Sequence, residues 1–218
     1  MFDNSILYSM IGKDEKILWK GKPNLRCFIL ESIFNPFLPF AIVWALFDSM
    51  FIGLIFLGHS TSKGIPDFTI IPLLGFFAIH LMPVWIYLFG VVFSFLRYKH
   101  TEFIVTDKGV YASGGVFAQT FEHKPFAELS HVNLHRGIID QMIGVGDVVL
   151  TSNQDGYNTR EAHSLYRGIT ICDIASYQYV YQLVKKLQTD IYSDTMYPND
   201  LRPKENHGYN TEYKGIEE

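Results

Sequence analysis

Cysteine is nearly absent: Cys27 and Cys172 are the only two in 218 residues, too few for a disulfide framework and not arranged as a CxxC pair. An excess of positive charge is missing as well. Lys and Arg number 18 against 22 Asp and Glu, for a formal net charge of −4, so no long basic stripe can neutralise phosphates and nucleic acid is excluded as the main partner. HExxH, GxSxG and Walker patterns do not occur, and no catalytic signature, cofactor or metal site is expected. Met1 to Ile11 lacks a basic region followed by an apolar core and a small-residue cleavage site, so no removable leader is expected. The most telling shortage is local, since charge almost disappears between Ser32 and Leu96 and is frequent on either side.

That charge-poor region holds two apolar stretches, Phe34 to Leu57 and Thr69 to Leu96. About 20 apolar residues cover roughly 30 Å as a helix, so both are read as spans of a transmembrane hairpin over residues 33–97. Lys13, Lys16, Lys20, Lys22 and Arg26 precede the hairpin, Arg97 and Lys99 follow it, and only Lys63 lies between, in the loop Gly58 to Phe68. This bias predicts a two-pass protein of the bacterial cell membrane with both termini cytoplasmic. Ala41, Ala45, Ser49 and Gly53 recur every fourth residue of the first span, a stripe that lets another helix approach, and Pro83 is expected to kink the second span. Asp48 and His80 lie about 14 and about 16 Å from the outer ends of their helices, hence level in an antiparallel hairpin. An intramembrane carboxylate needs neutralising, so the two are expected to meet as a polar clamp, with a proton relay or a contact to another subunit as alternatives.

Beyond the hairpin the period falls to two. Strands are predicted at His100 to Thr106, Val110 to Ser113, Val116 to Glu122, Ser130 to His135, Asp147 to Ser152 and Ser164 to Cys172, with turns at Asp107-Lys108-Gly109 and Gly114-Gly115. A shorter strand, Ile17-Leu18-Trp19, precedes the hairpin, with Trp19 expected to pack on the soluble domain. Gly137 to Ile143 reads as a brief helical turn or a loop capped by Gly144, and Asn153 to Arg160 as a loop. Asp173 is expected to cap an amphipathic helix carried by Ile174, Tyr177, Val180, Leu183, Val184 and Leu187. The fold class is therefore an α+β membrane protein: a two-helix hairpin plus a pleckstrin-homology-like curved antiparallel sheet closed by a C-terminal helix. The layout is an N-terminal segment to residue 32, the hairpin, the sheet domain over 98–190, and a polar tail over 191–218.

The stretches Phe103 to Tyr111, Gly114 to Phe117, Leu129 to Val132 and Ile143 to Val148, together with Glu15 to Trp19 and Gly21-Lys22-Pro23, resemble the bacterial PH-domain family of small membrane proteins. The resemblance covers most of Asp14 to Asp190, and Gly144-Val-Gly146-Asp147-Val148 is its most specific part. It departs at Asp107-Lys108, where the family carries a basic pair, and in a longer loop over Asn153 to Arg160. The resemblance implies a membrane-attached, non-catalytic module acting in assembly, envelope stress or export. Gly144 and Gly146 are read as residues needing unusual backbone angles or close approach, and Asp147 as a turn acceptor.

His131 and His135 share a face of one strand, with His123 and His163 available nearby, but alternation supplies two ligands where a metal needs three or four, so exposed sheet histidines are expected. Lys124, Arg136, Lys185 and Lys186 are either headgroup contacts or a solvated face. The function expected is an interaction or scaffold module working through a protein partner or a homo-oligomer, in contact with membrane lipid. The alternative is a lipid-responsive or transport-associated component using Asp48, His80 and the basic face.

Overall fold

The computed structural model describes residues 5–61, 67–152 and 168–196. The loop centre with Lys63, the segment Asn153 to Arg160, His163 and the tail beyond Met196 lie outside the described residues. The chain divides into two compact units, Met1–Phe28 with Leu96–Glu218, and Ile29–Phe95.

The first unit is α+β. Helix α1 (Ser5–Ser9) leads into β1 (Ile17–Gly21). After the helical insert come β2 (Glu102–Thr106), β3 (Gly109–Gly114) and β4 (Thr120–Pro125), a 3-10 turn over Phe126–Glu128, β5 (Leu129–His135), and then β6 (Gly146–Ser152) and β7 (Thr170–Ile174). They form two antiparallel sheets, ordered β1-β2-β3-β4 and β5-β6-β7. Period-two patterning does the sorting. Phe103 and Val105 of β2 and Val110 of β3 point into a core shared with Val148, Leu150 and Ile171 of the other sheet. Ile104 and Tyr111 point the other way, onto Leu7 of α1, so β2 is buried on both faces.

The C-terminal helix of this unit (Tyr177–Met196) drives Val180, Val184 and Leu187 into the shared core, each worth about 1.5–3 kcal/mol of burial. It starts later than expected. Asp173 lies within β7 with φ 56°, so it does not cap the helix. Between Gly146↔Ile174 and Val148↔Ile171, Cys172 and Asp173 oppose the single residue Asp147, so β7 carries a bulge that Asp173 completes in a left-handed conformation. The β4 strand also begins later than expected, at Thr120, because Gly115 takes φ 106° and the chain widens into a turn through Gln119.

The second unit is helical. Within it lie most of α2 (Leu25–Ile33) and all of α3 (Leu38–Thr61) and α4 (Asp67–His80), followed by α5 (Met82–His100), which continues into the first unit. Within α3, Leu38–Ile55 is long and apolar enough to cross a membrane, and most of its side chains are exposed. The second apolar stretch is two helices rather than one kinked span. Leu81 separates α4 from α5, because Pro83 has no amide to donate and so sits in the first turn of a new helix. The fragments stay linked by hydrogen bonds from Leu81 N to Phe77 O and from Trp85 N to Leu81 O. The members of the small-residue stripe differ in burial within this chain. Ala41 is buried, Ser49 is exposed, and a Cβ placed on Gly53 meets nothing within 4 Å.

Candidate functional site

Five consecutive residues, Gly144 to Val148, organise a buried polar site of the β unit. A helix of six residues, α6 (Ile138–Ile143), ends at Gly144, whose φ of 84° favours glycine and whose N–H reaches Asp140 O at 2.8 Å. Val145 is buried, and its carbonyl accepts Arg136 Nε at 2.9 Å. Gly146 sits at a close approach, since a Cβ there would lie 3.0 Å from side-chain atoms of both Arg136 and Tyr177, which would have to give way. Arg136 stacks over the Tyr177 ring at 5.0 Å, so its guanidinium braces this turn. Asp147 reaches across the ladder, its Oδ1 accepting the Asp173 N–H at 2.8 Å, the donor that the β7 bulge releases.

That bond sets Asp173 beside two further acids. Asp140 is fully buried and accepts the Gly137 N–H through Oδ2 at 2.7 Å and the Cys27 thiol through Oδ1 at 3.1 Å. Cys27 sits in the first turn of α2, which Asn24 caps through its side-chain oxygen, and the Asn24 N–H donates to Asp173 O at 2.8 Å. Donor atoms of Cys27, Asp140 and Asp173 lie within 4.8 Å of one another, and all three side chains are buried. Asp173 Oδ1 is buried with no hydrogen-bond partner. Burial pushes the Asp173 carboxyl up to about 6; the Cys27 hydrogen bond opposes this, and the charges of Asp147 and Asp140 reinforce it. Burial likewise pushes the Cys27 thiol well above its usual range, helped by its contacts with Asp140 and Asp173. Asp147 is raised by burial, against the lowering effect of the Asp173 N–H.

In the helical unit, Asp48 Oδ1 and His80 Nδ1 are 2.8 Å apart. Asp48 is buried and its Oδ2 has no partner, while the His80 ring stacks between Trp44 and Phe76 at centroid distances of 5.0 and 5.3 Å. Trp44 Nε1 donates to His80 O at 2.8 Å, fixing the two helices locally.

The other candidates are scattered. His131 and His135 are exposed on β5, and His123 on β4 stacks against Tyr111 at 4.2 Å; among the described residues these histidines converge on no donor cluster. Lys124 lies on β4 and Lys185 and Lys186 on the C-terminal helix, where Lys185 leans over Tyr181. Asp107 accepts the Lys16 N–H at 3.0 Å and so ties its turn to the start of β1.

Sequence reasoning missed the grouping of Cys27, Asp140 and Asp173, whose members are 113 and 33 residues apart. The available signal was Asp173 itself, an acid at the end of a strand pattern, which reads equally as a helix cap. It also missed Glu15, which accepts the Tyr111 hydroxyl at 2.9 Å and the Thr106 hydroxyl at 3.1 Å.

Compared with known proteins, residues 49–184, well over half of the chain, match a family model described as the bacterial PH domain. No curated protein and no solved structure matches the chain.

Proposed function

The chain belongs to the bacterial PH-domain family, and on that premise we propose that it is a membrane-anchored, non-catalytic interaction module that presents its β unit at the cytoplasmic face and works through a protein partner or a second copy of itself. The observation that carries the anchoring is the antiparallel pairing of β1 with β2, four residue pairs from Ile17↔Thr106 to Gly21↔Phe103. These strands flank the whole apolar insert, and hydrogen-bonded strands share one side of a bilayer. An insert that enters through α3 therefore crosses an even number of times, with α4 and α5 together as the return. The Lys/Arg bias of the flanks favours the cytoplasm as that side.

Support for interaction comes from apolar side chains that the β unit leaves in solvent. Ile138 and Met142, one turn apart on α6, are 81% and 82% exposed, and Leu134 on the edge strand β5 is also exposed. Edge strand β4 offers a second surface suited to strand addition. A photo-crosslinking residue at Met142 in the full-length protein in its native membrane is expected to give one adduct of defined mass, absent from the same residue at Gln182 on the helix surface. Masses of adducts between differently tagged copies separate self-assembly from a foreign partner. No discrete adduct at Met142 sinks the reading.

A lipid-responsive or transport-associated role is favoured by one observation, the Asp48 to His80 contact with its unmet carboxylate oxygen. It predicts dependence on anionic lipid or a proton gradient. The basic face adds little to it, because Arg136 is engaged at the Val145 carbonyl.

A further inference from the structure

Three donors, one thiol and two carboxylates, meet inside the β unit. A thiol from the first turn of α2, a carboxylate from α6 and a carboxylate from the β7 bulge bring one sulfur and two oxygens within 4.8 Å of one another. Among the described residues neither Asp140 nor Asp173 forms an ion pair. Buried acids without a compensating charge are costly, and Asp173 keeps one oxygen, Oδ1, with no donor at all in a side chain only 1% exposed. An orphaned, fully buried acceptor beside a thiol and a second buried carboxylate points to a cation.

We propose that Cys27, Asp140 and Asp173 bind a divalent transition-metal ion of the zinc class. Sulfur with two carboxylate oxygens suits zinc or cobalt and is a poor cage for magnesium or calcium, which take oxygen alone. Metal–sulfur and metal–oxygen bonds of about 2.3 and 2.0 Å set tetrahedral donors about 3.5 Å apart. The Cys27 Sγ to Asp140 Oδ1 distance of 3.1 Å therefore has to open by only a few tenths of an ångström.

Each ligand is held from behind by backbone. Asp140 is oriented by the Gly137 N–H on its other oxygen, Asp173 by its own N–H on Asp147, and Cys27 by the Asn24 cap, whose N–H also reaches the Asp173 carbonyl. Such outer contacts are what a metal site needs to hold geometry before the ion arrives. When the ion binds, the Cys27 S–H bond breaks, the proton leaves to buffer, and the sulfur lone pair forms the bond to the metal. The ion joins segments far apart in sequence and is structural rather than catalytic.

The test uses full-length protein in detergent, stripped with chelator and exchanged against cobalt(II) chloride. The wild type and Cys172→Ser are expected to take up one cobalt per chain and to show a sulfur-to-cobalt charge-transfer absorption. In Cys172→Ser the only sulfur ligand of the thiol type is Cys27, so the band there assigns it without disturbing the site. Cys27→Ser is expected to lose the band. Asp173→Asn, which tolerates the left-handed backbone, is expected to weaken binding at least about tenfold. Absence of the band in Cys172→Ser, or its survival in Cys27→Ser, overturns the proposal. So does cobalt uptake well below one per chain, or unchanged affinity in Asp173→Asn.

Discussion

Among the described residues, each unit buries one carboxylate oxygen that no donor meets, Asp48 Oδ2 among the helices and Asp173 Oδ1 in the β unit, and the two acids differ in their company. Asp48 faces a histidine set between two aromatic rings, a pair that is electrically balanced whether the proton sits on the ring or the carboxylate. Asp173 faces Cys27, Asp140 and Asp147, all acids. The helical unit thus solves its desolvation problem internally, and the β unit leaves its own to be solved by a proton or an ion. A self-balanced pair is what structure alone requires; an unbalanced cluster is what a ligand requires.

The sharpest way to break this comparison is to strand Asp48. His80→Phe keeps an aromatic ring between Trp44 and Phe76 but removes the partner, and it is expected to cost about 3–5 kcal/mol in unfolding of the detergent-solubilised protein. Adding Asp48→Leu is expected to restore much of that loss. If the two losses simply add, the pair is not coupled and the clamp reading fails.

A middle-sized effect comes from a third acid, whose neighbours donate to it. Glu15 takes hydrogen bonds from Tyr111 and Thr106, and burial, with that contact behind it, pushes the Tyr111 phenol up to about 12 from an ordinary value of 10.0. The fold favours the protonated phenol, so its stabilisation is complete below pH 10 and drains away as pH rises from 10 to 12, about 3 kcal/mol in all. Urea unfolding midpoints of wild type minus Tyr111→Phe across that range read the slope. A flat difference shows that this acid is not held by its donors.

How much of this could be read from residues alone differs between the units. Periodicity gave the strands and the C-terminal helix, because alternation at Phe103 and Val105 or recurrence at Val180, Val184 and Leu187 reflects burial directly. Gly144 was legible as a cap, since a left-handed residue at a helix end leaves few choices. The split at Leu81 was half legible: Pro83 announced a disturbance, but composition cannot distinguish a kink from two helices. The acid cluster was not legible at all. Its geometry depends on a one-residue bulge in β7, and a bulge changes register without changing the hydrophobic pattern on either side.

The smallest expected effect tests whether the legible turn and the illegible cluster are one device. Gly144→Ala is expected to cost about 1 kcal/mol through its positive φ, and Gly144→Asn clearly less, in the same unfolding measurement. Equal losses would show that the backbone angle is not what holds Asp140 in place.

The pairing of β1 with β2 also sets an order of events during synthesis. About eighty residues separate the two strands, so at roughly 5–20 residues per second β1 waits on the order of 4 to 16 s for its neighbour to be made. On the proposed anchoring, the apolar helices between the strands start toward lipid while the first strand, with Trp19 and Leu18, still has no β2 to pair with. The four-stranded sheet therefore cannot close until the whole apolar insert has been made.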